Sequence, residues 1–194
     1  MIELLADAAG SRERVERITA AAMNGEADFE QSLRQRVATL GGLPESVFAE
    51  VGRQVVVTAG VPELVAGVHA AGGRVGVVSG GFHEVVDPIA ESLGLDYWRA
   101  NRLEVVDGVL TGGLVGPVID GEAKAATLRE WAGHFGVPMS STLAVGDGAN
   151  DLLMMAACGL SVGFDAKPPV RDVADLLIDD RDLSQLLPLM GLRG

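Results

Sequence analysis

The stretch AVGDGAND, Ala144–Asp151, decides how the rest of the chain is interpreted. An apolar run enters a glycine and then presents three oxygen-bearing side chains, those of Asp147, Asn150 and Asp151, within five positions. Mg²⁺ prefers such ligands, often one or two carboxylates completed by water and a substrate phosphate. A capping role for the next helix would account for Asn150 or Asp151, but it leaves Asp147 unexplained. We therefore expect Asp147 to bind a metal ion at the carboxyl end of a strand, where open parallel sheets bind ligands.

The overall composition describes one folded unit of moderate size. The 194 residues are 48% hydrophobic and 22% charged, which provides enough apolar surface for a sizeable core. The net charge of −12 opposes binding to nucleic acid and to anionic membranes, because both require clustered Lys and Arg. An anionic small-molecule substrate would need local cations or a metal ion. Nothing in the sequence specifies an oligomeric state.

The first residues predict a cytoplasmic location. The segment MIELLADAAG has acids at Glu3 and Asp7, no cationic leader and no long apolar run. Neither a signal peptide nor a membrane-spanning helix is therefore expected. The single cysteine, Cys158, excludes an internal disulfide and agrees with a reducing compartment.

The hydrophobic pattern divides the chain into two regions. Residues 1–57 predict a small helical cap, in which Asp28 and Gln31 form a capping box ahead of an apolar stripe with helical spacing. In residues 58–194, short helices alternate with β-branched strands, as in a parallel sheet covered by helices. The pair Asp107-Gly108 between apolar runs predicts a β-hairpin. The expected fold class is α/β, a Rossmann-like parallel sheet covered by helices with a helical cap and a hairpin.

A second strand end carries a candidate phosphate site. The segment VVSGGF, residues 77–82, is predicted to end a strand at Ser79. The Ser79 hydroxyl and the amides of Gly80 and Gly81 could hold a phosphate oxygen at the N-terminus of the following helix. An ordinary N-cap with a flexible turn explains the same residues equally simply.

Two lysines occur in the chain, Lys124 and Lys167. Lys124 lies at the start of a predicted helix, where it either faces a phosphate group as a point charge or lies on the solvated surface. Lys167 has the same two interpretations, and the prolines that follow it favour a turn.

Taken in order, these stretches resemble the later motifs of the haloacid dehalogenase superfamily, and within it the phosphoserine phosphatase family. Four segments spread over nearly the whole chain carry the resemblance. They are RVGVVSGGF, LDYWRANRLEVVDGVLTG, AVGDGANDLLMMAACGLSVGFDAKP and the helical AAMNGEADFEQSLRQRVATLGGLP. Several motifs in order and at family-like spacing are far more specific than any one of them.

The resemblance implies a Mg²⁺-dependent hydrolase that converts O-phospho-L-serine to L-serine and phosphate, the last step of serine synthesis. By match to the family, Ser79 and Lys124 bind the phosphoryl group, and Asp147 coordinates Mg²⁺. The residues that match Asn150 and Asp151 support the metal and phosphate site, and Asn150 is expected, with Gly80 beside Ser79, to contact the substrate. The implied partner is this small molecule, with neither nucleic acid nor membrane.

Arg36 matches the residue of the helical cap that binds the substrate carboxylate in this family. A planar guanidinium can hold a carboxylate by two parallel hydrogen bonds, which would distinguish phosphoserine from a bare phosphate ester. Without the resemblance, Arg36 would be interpreted as a solvated helix residue.

One family feature is absent from these 194 residues. The family begins with an apolar strand that ends in D-x-D-[ST], whose first aspartate attacks phosphorus and whose second protonates the leaving oxygen; no such sequence occurs here. We expect that this segment belongs ahead of Met1 and that the first central strand is missing. Without the attacking carboxylate, only positioning and electrostatics remain for phosphoryl transfer. The neighbouring strands would also lose ladder partners, so we expect little or no activity and marginal stability.

Two other functions remain open at this stage. One is a different small-molecule phosphomonoesterase of the same superfamily. The other is a non-catalytic remnant that still binds phosphate.

Overall fold

The structure is a computed structural model that describes residues 1–23 and 26–192. Its helices are α1 (Ile2–Ala8), α2 (Arg12–Met23), α3 (Phe29–Ala38), α4 (Val47–Gly52), α5 (Val61–Ala70), α6 (His83–Leu93), α7 (Gly121–His134), α8 (Leu152–Ala157), α9 (Pro168–Arg171) and α10 (Leu186–Leu189). Its strands are β1 (Gly76–Phe82), β2 (Tyr97–Val106), β3 (Val109–Val115), β4 (Leu143–Gly146), β5 (Leu160–Phe164) and β6 (Leu176–Ile178). The alternation of helix and strand expected from the sequence is confirmed.

Local sequence signals account for several boundaries of these elements. The Asp28 carboxylate accepts a hydrogen bond from the Gln31 amide and caps α3. Helix α6 ends at Gly94, whose φ of 66° is a left-handed conformation that glycine adopts without strain. Asp107 and Gly108, with φ of 50° and 75°, form the two-residue turn between β2 and β3. The predicted hairpin is therefore confirmed.

The strands form two three-stranded sheets in the part of the chain described. In the first, ordered β1-β2-β3, β1 is parallel to β2 and β2 is antiparallel to β3. In the second, ordered β4-β5-β6, all neighbours are parallel. Strands β1 and β4 each lie at the edge of their own sheet. The α/β class is confirmed.

The prediction that a strand ends at Ser79 is wrong, because β1 continues to Phe82. Its pairing with β2 is regular as far as Val78 and then shifts register before Phe82. The segment Ser79–Gly81 therefore forms an irregular part of the strand, in which backbone groups leave the regular ladder. Helix α6 begins directly after it.

The first four helices share a hydrophobic core with the first sheet. This cluster contains Leu5, Ala6, Val15, Leu33, Val37, Val47 and Val51 from these helices, Leu40 from the turn after α3, and Phe82, Val85, Leu103, Leu110 and Val118 from later residues. Removing these apolar side chains from water is the main favourable term in folding, and it holds the helices against the strand that carries Ser79. The division of the chain into a cap of residues 1–57 and a core of residues 58–194 stays a prediction.

Residues 24, 25, 193 and 194, which fall inside the two predicted regions, lie outside the described residues. Among the helices that the structure describes, none combines the length and the apolar character needed to cross a membrane.

Candidate active site

Lys124 and Asp151 form a buried ion pair. Nζ of Lys124 donates a hydrogen bond to Oδ1 of Asp151 at 2.6 Å, and the two residues are 6% and 4% exposed. Lys124 lies in the first turn of α7, while Asp151 directly precedes α8, so the pair joins two helices. The interpretation of Lys124 as a solvated surface residue is therefore wrong. An ammonium group has three N–H donors, and Asp151 accepts one of them.

The second carboxylate oxygen of Asp151 organises the loop that follows β4. Oδ2 accepts hydrogen bonds from the backbone amides of Asp147 at 3.1 Å and Gly148 at 3.3 Å. A Cβ on Gly146 would lie 2.4 Å from the Cβ of Asp151, so only glycine allows this close approach. Both oxygens of Asp151 are thus engaged by the protein. Asp151 therefore shapes the loop and holds the Lys124 ammonium in place.

Asp147 and Asn150 fit a divalent cation. Partial removal from water raises the pKa of the Asp147 carboxyl, and the neighbouring Asp151 carboxylate raises it further. Lys124 and Lys167 act in the opposite direction with smaller effects. A cation would favour the charged form of Asp147. The side-chain Oδ1 of Asn150 is buried with no hydrogen-bond partner, which is costly unless a ligand supplies one.

The metal site would be only partly built from protein groups. Within residues 1–23 and 26–192, no cluster of three or more His, Cys, Asp or Glu side chains is arranged to hold an ion. Mg²⁺ commonly takes one or two carboxylates and completes its coordination with water and substrate phosphate. Asp147 as the protein ligand is compatible with that pattern.

The Ser79 hydroxyl lies in the irregular part of β1 and is oriented by the chain itself. Its Oγ accepts a hydrogen bond from the Gly81 amide at 2.9 Å. In this structure the Gly81 amide is engaged by Ser79, and its role in holding a phosphate oxygen stays a prediction. The hydroxyl keeps its own proton as a donor for an anion. A Cβ on Gly80 would lie 2.8 Å from the ring of Phe29, so the absence of a side chain lets the start of α3 pack on this segment.

Arg36 is a buried cation in α3, only 6% exposed. Its Nε donates to the Ser32 carbonyl at 3.1 Å and its Nη1 to the Thr19 hydroxyl at 3.2 Å. No carboxylate in the described part of the chain lies within ion-pair distance of this guanidinium. Burial lowers the pKa of Arg36, and the more distant Glu3 partly opposes this effect. The interpretation of Arg36 as a solvated residue is wrong.

Phe29 connects Arg36 to the Ser79 segment. The guanidinium carbon lies 6.0 Å from the centroid of the Phe29 ring. The same ring packs against Gly80. The Phe29 ring thus lies against both the buried cation of α3 and the segment that contains Ser79.

The predicted site residues therefore form two groups. Arg36, Ser79 and Gly80 are connected through Phe29, and Lys124, Asp147 and Asn150 lie on or beside the loop that Asp151 organises. Asn101 on β2, which no sequence motif marks, forms hydrogen bonds in both directions. It donates to the Gly80 carbonyl and accepts from the Ile119 amide, five residues before Lys124.

The sequence signals for the missed residues are weak. Asn is depleted in strands, so its presence in the middle of β2 marks Asn101 as unusual. Phe29 matches the apolar stripe of α3, and this pattern alone assigns it to the core.

The sequence matches known proteins over nearly its whole length. The haloacid dehalogenase-like hydrolase family matches residues 2–156. The chain is 47% identical over 192 residues to phosphoserine phosphatase SerB2 of Mycobacterium tuberculosis, a match that covers 99% of this chain and 47% of that protein. It is 46% identical over 194 residues to a phosphoserine phosphatase of Streptococcus thermophilus, covering 100% of this chain and 90% of that protein. The chain thus spans about half of the first relative and most of the second.

Solved structures agree with the sequence matches. A phospho-aspartyl intermediate analogue of phosphoserine phosphatase and a substrate-bound phosphoserine phosphatase complex each superpose with a TM-score of 0.94 at 43% identity. Each alignment covers 97% of this chain and 90% of the other. The chain therefore belongs to the haloacid dehalogenase-like hydrolase family and, within it, to the phosphoserine phosphatases.

Proposed function

We propose that this chain forms the phosphate, carboxylate and metal subsites of a Mg²⁺-dependent phosphoserine phosphatase. The reaction is hydrolysis of O-phospho-L-serine to L-serine and phosphate, in the biosynthesis of L-serine. Arg36 carries the proposal: it is a buried cation without a carboxylate partner in the described residues, and Phe29 connects it to the Ser79 segment. A substrate with a carboxylate and a phosphate could engage both places at once.

The phosphoryl subsite would be formed by Ser79 and Lys124, with Gly80 and Asn150 at its border. Phosphoryl transfer depends mainly on positioning and on electrostatic stabilisation of the transferred oxygens. The Ser79 hydroxyl donates one hydrogen bond, while the Lys124 ammonium supplies a charge that Asp151 orients. Burial of Lys124 strengthens its interaction with an anion, because little water screens it.

Asp147 would bind Mg²⁺, which when present neutralises charge on the phosphate oxygens. The raised pKa of its carboxyl and the unpartnered Oδ1 of Asn150 support this assignment. Arg36 would orient the other end of the substrate through its carboxylate. The cytoplasmic location stays a prediction from the sequence.

We further expect the 194 residues alone to release phosphate slowly or not at all. They contain no D-x-D-[ST] sequence, so none of them matches the attacking aspartate of the family. In that state the chain would act as a phosphate-binding protein, which is the second candidate function. Extending the chain ahead of Met1 by an apolar strand that ends in D-x-D-[ST] is expected to give turnover. Rapid turnover by the unextended chain would contradict this account.

The ligand assignment can be tested by calorimetric titration of the chain with Mg²⁺ present. O-phospho-L-serine should bind more tightly than O-phosphoethanolamine, which lacks the carboxylate. Arg36→Met should remove this difference without weakening the binding of inorganic phosphate. Arg34→Met is the matched control, because Arg34 lies on the same helix with its side chain 51% exposed. Equal affinity of the unsubstituted chain for both esters would contradict the proposal.

A further inference from the structure

We propose that Asn101 is a positioning residue that fixes the Ser79 segment relative to the helix that carries Lys124. The inference rests on the proposed function, because it assumes that these two elements bind the same phosphoryl group. Asn101 itself contacts neither group directly; it acts through the backbone on either side.

The Asn101 side chain forms one hydrogen bond in each direction. Its Nδ2 donates to the Gly80 carbonyl at 3.0 Å, and its Oδ1 accepts from the Ile119 amide at 2.8 Å. The residue is 2% exposed, so water cannot readily replace either bond. A carboxamide is suited to this position because one end donates and the other accepts.

The irregularity of β1 explains why the Gly80 carbonyl needs a side-chain donor. The ladder between β1 and β2 is regular up to Val78 and resumes at Phe82, which pairs with Asn101 itself. Between these points the Gly80 carbonyl is displaced from the ladder, and the Asn101 amide gives it a donor. A partly buried carbonyl that lost this donor would be destabilising, and the segment would rearrange to find another partner.

The other hydrogen bond of Asn101 reaches the start of α7. Ile119 precedes Asp120, whose carboxylate caps this helix by accepting from the Ala123 amide at 2.8 Å. The Asp120 carbonyl also accepts a hydrogen bond from the backbone amide of Lys124, in the first turn of α7. The position of Ile119 therefore sets where α7 begins, and with it where the Lys124 side chain enters the site.

The connection matters because the two halves of the site belong to different sheets. Ser79 lies in the first sheet, whereas Lys124 is bonded to Asp151 beside the second. In the described chain no strand pair joins these sheets. A side chain that bonds to both sides can therefore fix the distance between the hydroxyl and the ammonium, and small errors in such distances reduce binding and catalysis strongly.

The decisive variant is Asn101→Leu, which is nearly isosteric and uncharged and removes both hydrogen bonds. Titration of the folded chain with inorganic phosphate in the presence of Mg²⁺ should show at least about a tenfold loss of affinity. The matched control is Thr127→Val. Thr127 is 0% exposed on α7 and accepts a hydrogen bond from Arg99 of β2 at 2.9 Å. It therefore joins α7 to the strand that carries Asn101, but it has no hydrogen bond to the Ser79 segment. Its phosphate affinity should stay within about twofold of the unsubstituted chain.

A second variant separates the two hydrogen bonds without requiring a ligand. Asn101→Asp keeps an acceptor for the Ile119 amide but has no donor for the Gly80 carbonyl at neutral pH. Amide hydrogen exchange should become faster in Ser79–Phe82 and stay slow at Ile119. In Asn101→Leu, exchange should become faster at both places.

Each outcome decides the proposal. Phosphate affinity of folded Asn101→Leu equal to that of Thr127→Val would overturn it. If Asn101→Leu does not fold, unchanged exchange of Ser79–Phe82 in Asn101→Asp would overturn it instead. If the unsubstituted chain binds no phosphate, the proposed function fails, while the exchange pattern still decides whether Asn101 fixes the segment.

Discussion

Lys124 and Asp151 are joined by an ion pair of 2.6 Å in which neither side chain is exposed beyond 7%. Removing both charges from water is costly, and the pair recovers that cost only through close contact and additional hydrogen bonds. Asp151 accepts such additional hydrogen bonds from the backbone amides of Asp147 and Gly148. The pair therefore connects the stability of the loop after β4 to the orientation of the lysine.

Asp151→Asn is expected to destabilise the chain strongly. The substitution leaves Lys124 buried without a countercharge and places an amide where two backbone donors need an acceptor. Loss of one member of such a pair lowers the free energy of unfolding by about 3 kcal/mol. Urea unfolding followed by circular dichroism measures this change. Asp179→Asn is the control, because Asp179 pairs with Arg171 on the surface with its side chain 66% exposed, and little change is expected. Equal effects of the two substitutions would contradict the buried-pair account.

Lys124→Met is expected to weaken the binding of inorganic phosphate by at least about tenfold, because a charge-assisted donor is lost from a buried position. Calorimetric titration with Mg²⁺ present is the measurement. Arg129→Met removes a positive charge from an exposed position of the same helix and controls for the change in net charge. If both variants bind phosphate equally well, Lys124 is not part of the phosphate site.

The hairpin turn offers a prediction about stability alone. Gly108 has φ of 75°, so Gly108→Ala places a Cβ in the left-handed region and should lower the free energy of unfolding by about 1 kcal/mol. Gly133→Ala lies inside α7, where an added Cβ meets nothing within 4 Å. That substitution should raise the stability by up to about 1 kcal/mol. Thermal unfolding of both variants checks the opposite signs, and two shifts of the same sign would contradict the argument.

The features that the sequence predicted well are those with local causes. The hairpin at Asp107-Gly108, the cap at Asp28 and the helix stop at Gly94 each depend on residues a few positions apart. The position of Asp147 after a strand was predicted for the same reason, since the end of an apolar run is visible in the sequence.

The features that the sequence missed depend on tertiary contacts. Periodicity alone places Arg36 on a helix surface, and its burial arises from packing among α2, α3 and Phe29. The strand continues past Ser79 across a register shift, where the Asn101 side chain supplies a hydrogen-bond donor to the Gly80 carbonyl. Both sets of contacts join residues that are far apart in the sequence, so they become visible only in the folded structure.

The raised pKa of Asp147 predicts how pH affects the chain. Its pKa lies above the ordinary value of 3.8 because the surrounding protein partly removes the carboxyl from water and because the Asp151 carboxylate lies nearby. A carboxyl whose pKa is higher in the folded state favours folding when it is protonated. This contribution is complete below the ordinary pKa and is lost as the pH rises through the raised value. At neutral pH without metal, the charged Asp147 therefore destabilises the fold.

Asp147→Asn is thus expected to have opposite effects with and without metal. Without Mg²⁺ at pH 7 it should raise the free energy of unfolding by no more than about 1 kcal/mol, because solvent screens the repulsion from Asp151. Mg²⁺ should raise the melting temperature of the unsubstituted chain by binding the folded state, and this rise should vanish in the variant. In the unsubstituted chain, the Mg²⁺-dependent rise in melting temperature should also diminish as the pH falls through the raised pKa of Asp147, since protonation removes the charged ligand. Asp165→Asn, at an exposed carboxylate on the surface, should keep the full Mg²⁺ response. A Mg²⁺-dependent rise that survives in Asp147→Asn would exclude Asp147 as the metal ligand.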